Sequence, residues 1–153
     1  MEDVAVITKQ EIILVSRFIE LLKKEQETLK LGRASSLAGI NVDKIKLVEQ
    51  LNSLEANRRQ ALKITGDENT RDAMRIWLAG QPNNQTAAVN WENLLDLARE
   101  AKQLHELNAS LVGMQLQQTN EALAVLRQPA QHTLYGSNGQ TSQFSGSRIV
   151  DSA

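Results

Sequence analysis

Apolar residues recur at helical spacing through most of the chain, in three long stretches and one short one. From about Thr8 to Lys30, Leu14, Phe18, Leu21, Leu22 and Leu29 share one face of a helical wheel, with Ile12, Val15 and Ile19 at its margin. Arg17, Glu20, Lys23, Lys24 and Glu27 fall opposite, so the stretch predicts an amphipathic helix with one buried side. Gly32 and the Ala- and Ser-containing run 34–39 interrupt it as turn and cap formers. A second pattern opens at Asn41 or Asp43, either of which suits a helix N-cap, and continues to Ile64. Within it Leu47, Leu51, Leu54, Arg58 and Ala61 alternate in steps of four and three, the spacing of a coiled coil, and the first helix is its expected partner.

Gly66 then predicts a helix stop, and the polar cluster Asp67 to Thr70 caps a short helix from about Arg71 to Ala79 that carries Met74, Trp77 and Leu78. Gly80, Pro82, Asn83 and Asn84 mark a loop. The last helix is expected from about Thr86 to Arg127, with Pro129 ending it. Its apolar residues Leu94, Leu97, Leu104, Leu107, Leu111, Val112, Met114, Leu116 and Leu123 spread over an arc of about 200°, twice the stripe that one core contact needs. Part of that arc is left for a partner. From Gln128 onward Gly, Ser, Gln, Thr and Asn dominate without periodicity, which predicts a helical domain at 1–128 and a flexible, disordered tail at 129–153.

Composition narrows the function classes. Aromatics make up only 3% of the chain, which favours packed helices over a sandwich or barrel. Seventeen basic and eighteen acidic residues leave a net charge of -1, so no long-range field draws the protein to nucleic acid or anionic lipid. The chain has no cysteine, which removes thiolate nucleophiles, thiolate metal sites and disulfides together and suits a reducing cytosol. The start, Met1-Glu-Asp-Val, has no basic n-region, and no stretch approaches the roughly 20 apolar residues of a membrane span. A cytoplasmic protein without membrane insertion is expected.

Candidate chemistry is thin. His105 and His132 stand apart with no metal-ligand spacing, and the pairs Asp43/Glu49 and Glu100/Glu106 read as solvated helix faces. No Gly-rich run precedes a Lys-Ser or Lys-Thr, and the Arg58, Arg59, Lys63 cluster lacks the aromatics that stack on bases. These absences predict no metal, no cofactor and no enzyme. Two polar residues break the apolar pattern. Arg58, on the buried side of the second helix, either snorkels at the bundle's end or makes a salt bridge that fixes helix register. Asn108, in the middle of the last helix's arc, either finds partners in the bundle or offers its amide to a bound chain. Trp77 and Trp91 read as core plugs joining the short helix to the long one. Tyr135, the only tyrosine, is a docking anchor or a chance residue in a linker.

Three segments resemble the FlgN-type flagellar export chaperones that serve hook-filament junction proteins. They are the acid, Lys, Leu-rich, Arg-Arg stretch from Asp43 to Arg59; Leu104 to Val112, followed by Ala122 to Leu126; and the most distinctive, Thr133-Leu-Tyr135-Gly-Ser-Asn-Gly139-Gln-Thr141. His105 stands where that family tends to have Asn, and Ala109 where it tends to have Gly, a methyl group that bears on substrate affinity or selectivity. The resemblance implies that the long C-terminal helix grips the C-terminal, helix-prone end of a flagellar hook-associated protein, prevents its premature assembly and keeps it competent for type III export. It implies substrate-facing roles for Leu104, Asn108, Leu111, Val112, Leu116 and Leu123, and a role for Tyr135 in docking on the flagellar export gate, part of the export apparatus. The expected fold is all-α, an antiparallel helical bundle of three long helices plus one short helix. The rival is a structural coiled-coil protein in which the broad arc closes a homo-oligomer, and a weak homo-oligomer stays open under either reading.

Overall fold

The computed structural model describes residues 3–64 and 69–135, with side chains described as far as Arg127. Its helices are α1 (Val4–Lys30), α2 (Leu37–Ala61), α3 (Thr70–Ala79) and α4 (Gln85–Tyr135), with a 3-10 turn at Ala34–Ser36 leading into α2. The architecture is all-α, as expected. The chain divides into two compact units, Met1–Asn108 and Ala109–Ala153. The first holds α1, α2, α3 and α4 as far as Asn108; the described part of the second is the remainder of α4.

Local chemistry sets the helix ends, in places differently from the expectation. α1 stops where Gly32 takes a φ of 68°, with Gly32 N–H donating to the Leu29 carbonyl and Arg33 N–H to that of Thr28. That pair of bonds is a Schellman closure. α2 ends the same way without a glycine: Lys63 adopts a φ of 59°, its N–H donates to the Gln60 carbonyl, and Ile64 N–H donates to that of Arg59. Ile64, the residue after Lys63, is buried. The stop is therefore Lys63, and the expected stop, Gly66, lies outside the described residues. α2 also begins at Leu37, ahead of Asn41 and Asp43, because the 3-10 turn feeds directly into it. Gly39 has open space around it, so it costs α2 only its weak helix propensity, about 1 kcal/mol. Asn69 caps α3 by accepting from Arg71 N–H at 2.9 Å, and Asn84 opens α4 by accepting from Ala87 N–H at 3.1 Å. α4 runs through Pro129, which was expected to end it, to Tyr135. The residues just before Pro129 are good helix formers, which offsets part of what a proline costs by removing a ladder donor and crowding the carbonyl four residues back. Residues 136–153 of the expected tail lie outside the description.

The core of the first unit joins Val15, Ile19 and Leu22 of α1 to Met74 of α3 and to Trp91, Leu94 and Ala101 of α4. Phe18, Leu51, Trp77, Leu78 and Leu104 pack against it half-buried, so both tryptophans tie the short helix to the long one, as expected. α1 and α2 pack side by side. The buried face of α1 is rotated from the apolar prediction, since Leu14, Phe18 and Leu21 sit at the margin and Ile7, Val15, Ile19 and Leu22 at the centre. The reason is that four polar residues, Thr8, Glu11, Glu25 and Thr28, share the centre line, where a purely apolar count does not look. The threonines satisfy themselves by donating to the carbonyls of Val4 at 2.8 Å and Lys24 at 2.7 Å.

Glu11 needs a cation. Arg58 Nε of α2 lies 2.9 Å from its Oε1, with both side chains buried, and the guanidinium carbon stands 5.0 Å from the centroid of the Trp91 ring. Of the two readings of Arg58, the salt bridge is the one realised. Arg58 Nη1 has no hydrogen-bond partner, so the aromatic face carries part of the desolvation that hydrogen bonds would otherwise relieve.

Burial pushes the Glu11 carboxyl above its ordinary value of 4.5, and nearby Glu55 pushes the same way, while Arg58 opposes both. The folded state thus holds this proton more tightly than the unfolded chain does. The group's contribution to stability is absent at neutral pH, grows as pH falls through the raised folded value, and is complete below 4.5. Urea unfolding of wild type and Glu11→Gln across pH 7 to about 4 is expected to show wild type gaining on the variant with acidification. A difference that shrinks on acidification contradicts this assignment. A second expectation concerns Lys63: replacing it with glycine relieves a left-handed residue and should raise stability by about 0.5–1 kcal/mol in the same assay.

Candidate protein-binding surface

The predicted binding residues divide between the two units, Leu104 and Asn108 in the first and Leu111, Val112, Leu116 and Leu123 in the second. Leu104 is half-buried and packs against the core of the first unit. Asn108 is 2% exposed, so of its two readings the one with partners in the bundle is realised. Its Nδ2 donates to the Leu22 carbonyl at 2.8 Å and to Glu25 Oε1 at 2.9 Å. Both partners are acceptors, which fixes the amide's orientation. Lys44 of α2 closes the cluster, with Nζ 3.0 Å and 3.2 Å from the two Glu25 oxygens. Asn108 Oδ1 is buried without a hydrogen-bond partner. Leu104 and Asn108 thus pack within the first unit, where a buried amide must bond to whatever lies beside it, here the backbone of α1 and a carboxylate.

Asn108 is also the last buried residue of α4 whose side chain is described. In the second unit every residue from Ala109 to Arg127 is exposed or half-exposed. Leu111 is half-buried, while Val112 at 50%, Leu116 at 49% and Leu123 at 42% are exposed. Met114, Val125 and Leu126 join them at 57%, 64% and 75%. These three were absent from the predicted site, yet their spacing pointed to them. Val112, Leu116, Thr119, Leu123 and Leu126 step by four, three, four and three, a seam of coiled-coil type, whereas at about 100° per residue Leu111, Met114 and Val125 fall toward the other side of the helix.

Charge separates this strip from other exposed apolar residues. Between Leu107 and Leu126 the single charged residue is Glu121. On α2, exposed Val42, Ile45 and Val48 stand among Asp43, Lys44, Lys46 and Glu49. A partner covering the α4 strip desolvates almost no charge, so the apolar gain of about 25 cal/mol per Å² is opposed mainly by hydrogen-bonding groups that a partner's own polar groups can match. An open groove of about 830 Å³ between α1 and α2 is lined by Arg17, Glu20, Lys24, Asp43 and Lys46 around Leu21 and Leu47. Its charged rim and open shape do not make the enclosed apolar pocket of a small-molecule site. Among the described residues no group of three or more His, Cys, Asp or Glu side chains comes together as a metal site, and His105 is exposed. No helix of the described residues is long and apolar enough to cross a membrane. The side chains of His132 and Tyr135 lie outside the description.

Comparison with known proteins adds three findings. The family model described as FlgN protein matches residues 1–143. The flagella synthesis protein FlgN of Escherichia coli K12 is 26% identical over 144 residues, covering 93% of this chain and 92% of its own. That of Salmonella typhimurium LT2 is 28% identical over 124 residues, covering 80% and 78% respectively. No solved structure matches the chain. With a family match that leaves only the last ten residues uncovered, and relatives aligned along most of their length, the chain belongs to the FlgN protein family.

Proposed function

We propose that this protein is a cytoplasmic export chaperone of the flagellum. It binds the C-terminal helical end of a flagellar hook-associated protein along Leu111, Val112, Leu116 and Leu123, with Leu126 extending the seam, and presents the loaded complex to the flagellar export gate. The observation that carries this reading is the nearly uncharged, exposed apolar strip of the second unit. The coiled-coil spacing of its residues suits a helical client, docked by helix-in-groove or coiled-coil packing. The name of the relatives, flagella synthesis protein, places those proteins in flagellar assembly and supports the same process here. The family resemblance of Thr133 to Thr141 supports gate docking through Tyr135.

The work proposed is binding without catalysis. A client helix is held by burial of leucine side chains, each contributing about 1.5–3 kcal/mol when fully covered, and is released without a covalent step. The same seam spacing also fits a second reading, a homo-oligomer closed through α4. Light scattering of the free protein separates them, since an obligate oligomer with no vacant strip belongs to the rival.

Leu116→Asp and Leu123→Asp are each expected to weaken calorimetric binding to a purified hook-associated protein by a factor of roughly ten or more, because a carboxylate replaces a buried anchor. Circular dichroism should stay near wild type, since an exposed Leu to Asp change costs a helix less than about 1 kcal/mol. Unchanged affinity in both variants discards the strip as the client site. Tyr135→Ala is expected to leave client affinity intact while reducing capture of the loaded complex by the export gate's cytosolic domain in a pull-down. Equal capture by wild type and variant removes Tyr135 from docking.

A further inference from the structure

Asn108 spends both amide N–H groups inside the first unit and leaves its oxygen unmatched, an arrangement that costs stability. An apolar residue would fill this position in a helix whose neighbours on the same face, Trp91, Leu94 and Ala101, are all apolar and buried. The amide supplies direction instead. Apolar contacts are non-directional, so a helix held by them alone can shift along its partner or turn about its axis at little cost. An amide with one donor on the Leu22 carbonyl and the other on a carboxylate fixed by Lys44 can be satisfied in one setting only. A shift of one turn, about 5.4 Å, would strand Asn108 and strip Glu25 of a donor.

We propose that Asn108, held by the Leu22 carbonyl, Glu25 and Lys44, is a positioning residue that locks the register of α4 on α1 within the first unit. A single buried asparagine setting register at a cost in stability has precedent in coiled coils. The lock lies wholly within the first unit.

The absence of cysteine allows a clean distance test in the full chain. Nitroxide labels on introduced cysteines at exposed Lys23 of α1 and Lys102 of α4 report the register by pulsed electron spin resonance. Wild type is expected to give one narrow distance distribution. Asn108→Leu should keep helicity and melting temperature at or above wild type yet broaden the distribution or add a second peak, and Asn108→Ala should broaden it with some loss of stability. Glu25→Gln, which keeps an acceptor for the amide, should stay narrow, whereas Glu25→Leu should broaden. A narrow wild-type-like distribution in both Asn108 variants overturns the lock.

Discussion

A charged group removed from water must be matched where it lies, and this constraint fixes how the first two helices meet. Glu11 and Glu25 stand fourteen residues apart on the buried face of α1, and their cations, Arg58 and Lys44, stand fourteen apart on α2 in the opposite sense. The separation is two heptads on each helix, so both pairs are made at once in an antiparallel arrangement and neither survives a slip alone. Half-buried Phe18 and Leu51 fall midway between the pairs on their respective helices. The apolar residues drive α1 and α2 together; the two ion pairs choose the alignment among the many that apolar contact alone would tolerate.

The third partner in each cluster comes from α4. Trp91 lies over Arg58, and Asn108 donates to the carboxylate that Lys44 already holds. The two ends of the first unit are therefore closed differently. At the Arg58 end an aromatic face accommodates a guanidinium whose Nη1 lacks a hydrogen bond, and Glu11 titrates high because burial outweighs its cation. At the Lys44 end the carboxylate receives donors from two helices. Between these clusters lie Met74, Leu94 and Ala101, the apolar middle that needs no direction.

Much of this was legible in the chain. The helix count, the α1 and α2 pairing, the short helix with Met74 and the role of the tryptophans follow from apolar period and turn residues. What was hidden was the identity of α1's central line. Thr8, Glu11, Glu25 and Thr28 count as polar, so a hydrophobic wheel moves the predicted face toward Leu14 and Leu21. The signal that would have found it is the matched spacing of acids on one helix and cations on the next. Lys63 escaped for a different reason: a lysine in left-handed conformation has no compositional mark, and nearby Gly66 looked like the obvious stop. In the candidate site, the arc's excess width was legible, but its division was not. Where apolar residues on one helix cease to be covered depends on where the other helices end, which the wheel of α4 alone does not contain.

That division gives the proposed function its physical basis. A strip that was merely apolar would be a liability, since exposed leucines invite nonspecific association. Here the strip's polar residues are almost all uncharged, so covering it desolvates a single carboxylate, Glu121. The flanks lack the alternating charges that give coiled-coil pairs their partner choice. On the function proposed above, selectivity for a helical client must then come from shape, since charge supplies little of it. The unmatched oxygen of Asn108, a defect when stability alone is considered, is consistent with selection for a fixed register of α4 on α1 in the first unit over the last increment of stability.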